Sequence, residues 1–289
     1  MYELPLPEDN PFDIFSCIKE GDKFKLLLRK EDFCDSVTFF DTIYRIKGKT
    51  ASLNTLPVLK KAFTQTMTKD EMEKLYKNRL YKSKSGNVIY TRIRDSAIGD
   101  LCPLCSQRLV GTLDHYLPKA HYPQYAISRV NLYPACIECN KAKLDTVNSD
   151  KENQTFHPFF DRLHDIVWLS ASLKGGASPA LVFYVNDNVP QRFALRQRMR
   201  YHLRTLGIDN LYATHAASAM SREKLTLQRL FKRKGQRGVE KYLKDRWESA
   251  CDNNKNSWQA VMYRTLLNSA SFCAGGFNNI AVMPIRSVP

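Results

Sequence analysis

The chain has 289 residues, 43% of them apolar, with 44 Lys and Arg against 29 Asp and Glu for a formal net charge of +15. That length can bury the core of one large domain or two ordinary ones. No stretch approaches the twenty apolar residues of a membrane helix, and Met1–Asn10 lacks the basic and then apolar run of a signal peptide, so a cytoplasmic protein with no membrane segment is expected.

Residues 1–95 read as a mainly helical region. Leu53–Thr66 and Lys69–Leu80 carry apolar residues at helical spacing, and Lys82–Asn87 (KSKSGN) reads as a loop. Residues 96–161 are rich in Pro, Cys, His and Asn. Here Arg108–Leu113 reads as a short strand running into Asp114-His115, Leu117–Ser128 as irregular, and Cys139–Leu144 as the start of a helix. Residues 162–289 begin with a turn, Lys174–Pro179, and a strand, Ala180–Val185. Helices follow. In Phe193–Leu206, Leu195, Met199, Leu203 and Leu206 share one face; in Gly238–Cys251, Val239, Tyr242, Leu243 and Trp247 do the same. The fold class expected is α+β, a mostly helical protein around a small strand-and-helix insert.

Eight cysteines without a secretory signal argue against a disulfide framework. Cys17, Cys34, Cys251 and Cys273 are scattered and receive no role. Cys102/Cys105 and Cys136/Cys139 form two C-x-x-C units thirty residues apart, the spacing of a tetrathiolate zinc site. With sulfur at all four positions such a zinc has no open coordination site and is structural.

Inside the zinc loop, Leu113-Asp114-His115-Tyr116-Leu117-Pro118-Lys119 sets a carboxylate beside an imidazole. Asn131 follows sixteen residues after His115, and then Cys136-Ile137-Glu138-Cys139-Asn140-Lys141-Ala142-Lys143. This order resembles the HNH (His-Me finger, ββα-metal) nuclease family, with Asn140 where the third signature position is often His. The resemblance spans Leu101 to Asp145. It implies a ββα-metal module hydrolysing nucleic-acid phosphodiester bonds. His115 would then be the general base for water. Asp114 and Asn140 would hold a catalytic divalent cation, Mg²⁺ or Mn²⁺, and Asn131 would brace the loop around His115 and fix its tautomer. The run DHYLPKAHYP (Asp114–Pro123), with His157 in Phe156–Asp161, is similar to a subset encoded in bacterial anti-phage defence loci. Some of that subset work beside an ATPase, as in Septu-type systems. A companion ATPase is therefore an expected partner. For His157 a buried, hydrogen-bonded structural role is expected.

The positive charge favours a nucleic-acid partner, expected to be DNA. Lys119, Lys141 and Lys143 flank the motif and could meet phosphates or simply be solvated. Between Gln191 and Ala250 lie fifteen Lys and Arg and five Asp and Glu, a net +10 of the chain's +15. Arg192, Arg196, Arg200 and Arg204 recur every four residues along one predicted helix, a stripe suited to a phosphate backbone; Phe231–Arg237 is a second basic cluster. Two alternatives remain: an RNA- or tRNA-cleaving nuclease, and a non-catalytic zinc module that binds nucleic acid or protein. A plain zinc module has no use for Asp114, His115 and Asn140.

Overall fold

The computed structural model describes residues 1–8, 14, 31–59, 62–64, 67–145, 147, 150–175, 178–189 and 193–281. Cys17, Arg192, residues 60, 61, 65 and 66 of the first expected helix, and residues 176–177 of the expected turn lie outside them. The fold is α+β: mostly helical, with small antiparallel two-stranded sheets. It divides into two compact units, Met1–Leu163 and His164–Pro289, so residues 1–95 and 96–161 share one unit. Among the described residues no helix is long and apolar enough to cross a membrane.

In the first unit, α1 (Glu31–Lys49) is followed by a single 3-10 turn at Leu53–Thr55 and by the short pair β1 (Ala62–Thr64) and β2 (Met67–Thr68). The helix expected over Leu53–Thr66 does not form. Pro57 disfavours helical backbone at the residue before it, and Leu56 is extended, at φ −72° and ψ 140°. The helix expected over Lys69–Leu80 does form, as α2 (Lys69–Lys74) running on through a wider π turn at Leu75–Tyr81. Thr68 caps it: its hydroxyl accepts from the Glu71 N–H, and the Glu71 carboxylate accepts from the Thr68 N–H at 2.9 Å. A cap of this kind contributes about 1 kcal/mol. The loop expected at Lys82–Asn87 is instead mostly helix. Ser83 accepts from the Gly86 N–H at 3.1 Å and so starts α3 (Lys84–Arg94).

The strand-and-helix insert follows. β3 (Thr112–His115) pairs antiparallel with β4 (Leu132–Ala135), with Asp114 opposite Tyr133 and His115 opposite Leu132. α4 (Ile137–Lys143) follows directly. The insert shares the core of this unit: Leu113, Ala126, Ile127 and Leu132 pack with Phe33 and Val37 of α1, Met72 of α2 and Ile89, Tyr90 and Ile93 of α3. Burying each such side chain contributes about 1.5–3 kcal/mol. The strand that carries the candidate site therefore rests on helices from the N-terminal third of the chain.

In the second unit, β5 (Leu169–Lys174) and β6 (Ala180–Val185) form a hairpin. On β6 Leu181, Phe183 and Val185 are buried and the residues between them exposed, the alternation of a one-faced sheet. α5 (Phe193–Thr205), α6 (Ile208–Asn253), α7 (Trp258–Leu267) and α8 (Ala270–Cys273) follow. Met199, Leu203 and Leu206 are buried, as the apolar stripe requires. Asn256 ties the hairpin down: its Oδ1 accepts from the N–H groups of Trp168 and Leu169, and its Nδ2 donates to the Ile166 carbonyl at 2.7 Å.

Candidate active site and metal centre

Cys102 and Cys105 lie in the loop before β3, Cys136 caps α4 and Cys139 sits in its first turn. All four are buried, with their sulfurs within 4.8 Å of one another. A tetrahedral zinc with bonds of about 2.3 Å spaces its sulfurs about 3.8 Å apart, so the cluster fits a four-coordinate ion. The electrostatics point the same way. Hydrogen bonding with Cys102 pushes the Cys105 and Cys136 thiols down, while hydrogen bonding with Cys105 and Cys102 respectively pushes Cys102 and Cys139 up. Buried thiolates this close repel one another, and a cation among them removes that conflict. The cluster could hold a metal ion with no coordination position left over.

The strand β3 begins next to this centre, with Thr112 opposite Ala135, and a cleft of about 290 Å³ lies along it. Asp114 and His115 from β3, Asn140, Lys141 and Lys143 from α4, Lys119 from the loop and Tyr76 from the π turn are among its lining. Residues 26 positions apart in the sequence, Asp114 and Asn140, thus line one cleft. Adjacent strand residues ordinarily face opposite sides. Asp114 and His115 share the cleft because His115 is the last residue of the strand.

Asp114 is buried. Its Oδ2 accepts from the Tyr133 hydroxyl at 2.6 Å and has the Lys143 ammonium 3.4 Å away. Burial pushes its carboxyl up, and Lys143 and Tyr133 oppose that. Lys143 also donates to the His115 carbonyl at 2.6 Å. Of the three lysines expected to be free for phosphate, Lys143 is therefore engaged within the protein. Lys119 lies 5.9 Å above the Tyr76 ring, a cation–π contact, and Lys141 is exposed.

The His115 ring is buried against Tyr76, edge to face with centroids 4.5 Å apart. Its Nε2 lies 2.8 Å from the Ala126 carbonyl oxygen. A carbonyl can only accept, so Nε2 carries the proton and Nδ1 keeps its lone pair. Burial, with Lys119 and Lys143 adding to it, pushes the imidazole down to about 3. His115 is neutral at pH 7, with a single basic nitrogen.

Asn131 is fully buried and is not part of the cleft lining. Its Oδ1 accepts from the Leu117 N–H at 2.8 Å and the Tyr44 hydroxyl at 2.9 Å; its Nδ2 donates to the carbonyls of Leu117 and Tyr125, each at 3.0 Å. It clamps both ends of the loop between β3 and β4, one residue from the Ala126 carbonyl. Asn131 is bonded to this loop and to Tyr44, not to His115, whose partner is the Ala126 carbonyl. His157 is buried behind the same loop. Its Nδ1 accepts from the Phe159 N–H at 3.2 Å, which leaves Nε2 to donate to the Tyr44 oxygen at 3.0 Å. It is buried and hydrogen-bonded.

Sequence reasoning does not find Tyr44, Tyr76 or Tyr133. A lone tyrosine has no signature; only the Asp114–Tyr133 register, set across a long loop, points to one of them. On α5, Arg196 donates to the Asp187 carbonyl at 2.7 Å and Arg200 pairs with the Asp187 carboxylate, whereas Arg204 is exposed. The stripe is not the free basic face its spacing suggested, because Asp187 precedes the helix and an intrahelical count does not see it.

The chain is similar to protein Ea31 of Escherichia phage lambda, 29% identical over 302 aligned positions that cover 95% of this chain and all of that protein. No family model matches the chain, and no solved structure matches it.

Proposed function

We propose that the chain is an HNH-type endonuclease that hydrolyses phosphodiester bonds in DNA, with a structural zinc on Cys102, Cys105, Cys136 and Cys139. One observation carries the reading: Asp114 and His115 from β3 and Asn140 from α4, the helix that also carries Cys139, share one cleft. The resemblance of Leu101–Asp145 to the HNH pattern and the chain's net +15 support it.

Each residue has its own part in the chemistry. Nδ1 of His115 takes the proton of a water; that water's oxygen forms a bond to phosphorus while the P–O3′ bond breaks, and the 3′-oxygen leaves with a proton from solvent. Ala126 holds the tautomer that this requires. Asp114 and Asn140 supply two oxygen ligands suited to Mg²⁺ or Mn²⁺, and the ion, when bound, neutralises charge on the phosphate and the leaving oxygen. Tyr133 aims the Asp114 carboxylate, and Lys119 and Lys141 meet phosphate. The similarity of DHYLPKAHYP to defence-associated HNH proteins, together with that to a phage protein, supports a role in the conflict between bacteria and phage beside an ATPase partner.

Asp114→Ala tests the reading. It should retain the zinc and lose Mg²⁺-dependent cleavage of matched DNA and RNA substrates, with DNA the better substrate for wild type. Cleavage by wild type that survives removal of free divalent ions sinks the hydrolytic-metal assignment.

A further inference from the structure

The long helix α6 is broken at Gly235, whose φ of 62° and ψ of −161° lie outside helical space. This backbone is open to glycine and strained for other residues. A second glycine completes the break: a Cβ at Gly238 would lie 2.5 Å from the Lys234 Cβ. The kink is thus written into the sequence at both positions. From Leu225 to Val239 the chain carries five Lys and Arg and no Asp or Glu. Arg229, Lys232, Arg233, Lys234 and Arg237 are all exposed. Among the described residues none of their side chains has a hydrogen bond or an ion pair, in contrast to those of Arg196 and Arg200 on α5. Apolar packing holds the kink from behind, with Phe231 against Phe277 and Leu227 and Val239 buried.

Helix stability explains only part of this. Cations in the last turn before Gly235 complement the helix dipole, but Arg237, in the first turn after it, opposes the dipole. A self-repelling cluster on a defined kink fits a polyanion that neutralises it. From these observations we infer that the Gly235 kink is a docking surface for the phosphate backbone of duplex DNA, with Lys232, Arg233 and Arg237 as its principal phosphate ligands. The choice of DNA among polyanions rests on the nuclease reading; the cluster itself does not.

The test is fluorescence-anisotropy titration of a 25-base-pair duplex with the full chain, at several salt concentrations and without added divalent metal. For the variant Lys232→Gln/Arg233→Gln/Arg237→Gln, the slope of log K against log salt should be shallower by about 2.7, since each phosphate no longer neutralised removes about 0.9. A rise from 50 to 200 mM salt then costs the variant about 40-fold less affinity than it costs wild type. Arg196→Gln/Arg200→Gln should leave the slope near that of wild type. If the triple variant loses its helical circular dichroism, Lys232→Gln/Arg233→Gln carries the same test with a change of about 1.8. Unchanged affinity and slope overturn the inference, as does an equal loss in the α5 variant, or a loss confined to polyglutamate as competitor. Binding through the kink without cleavage would uphold this surface and refute the nuclease; cleavage with no effect at the kink would do the reverse.

Discussion

Asn131→Ala separates bracing from catalysis. Truncation removes four hydrogen bonds at a fully buried position. Two of the four partners keep another bond: the Tyr44 hydroxyl still meets His157 at 3.0 Å, and the Tyr125 carbonyl still accepts from the Ser128 N–H at 3.2 Å. Among the described residues the N–H and carbonyl of Leu117 have no other hydrogen bond. Each buried, unsatisfied backbone group costs about 1–3 kcal/mol, so the substitution should destabilise the first unit by about 2–6 kcal/mol. That is a large share of the roughly 5–15 kcal/mol by which proteins are stable. Urea unfolding followed by tyrosine fluorescence measures it. His115→Ala, which releases only the Ala126 carbonyl from its hydrogen bond, should fall short of it. A urea midpoint for Asn131→Ala within error of wild type would refute the argument that Asn131 acts through the fold of the β3–β4 loop.

Cys136→Ser should lower the metal content from about one zinc per chain and destabilise the first unit, since a structural metal contributes its binding energy to folding; full zinc by elemental analysis in the variant would contradict the site. The His115 shift predicts acid sensitivity. Its folded value near 3 lies below the ordinary 6.5, so between those values the unfolded chain binds the extra proton and stability falls as pH falls. At pH 5 the loss from this group is about 2 kcal/mol, so the stability difference between wild type and His115→Gln should shrink from pH 7 to pH 5, and a constant difference refutes the shift.

The parts of the site that lie close in sequence are legible without the structure. C-x-x-C units advertise themselves because two sulfurs on one knuckle need that spacing, and the helix read from Cys139 forms as α4, whereas the strand read over Arg108–Leu113 forms only from Thr112 and contains Asp114-His115. The partners that tune the site are not legible. Tyr44, Tyr76 and Tyr133 reach Asn131, His115 and Asp114 through α1, the π turn and the strand register, none of which local periodicity reveals. Local signals also mislead where a single residue overrules a pattern. Pro57 breaks the helical spacing of Leu53–Thr66, and Ser83, in a stretch with the composition of a loop, is the cap that starts α3. In the second unit the apolar faces of α5 and α6 are readable from period alone, but the arginine stripe is not, because its acidic partner Asp187 lies outside the helix.

The most direct test is Mg²⁺-dependent cleavage of supercoiled plasmid by wild type and by His115→Ala at matched zinc content. The account predicts that wild type cuts and that the variant, folded and still zinc-loaded, cuts about 10²–10⁴ times more slowly, the usual loss on removing a general base. Equal rates for the two proteins, or no cutting by wild type, would contradict it.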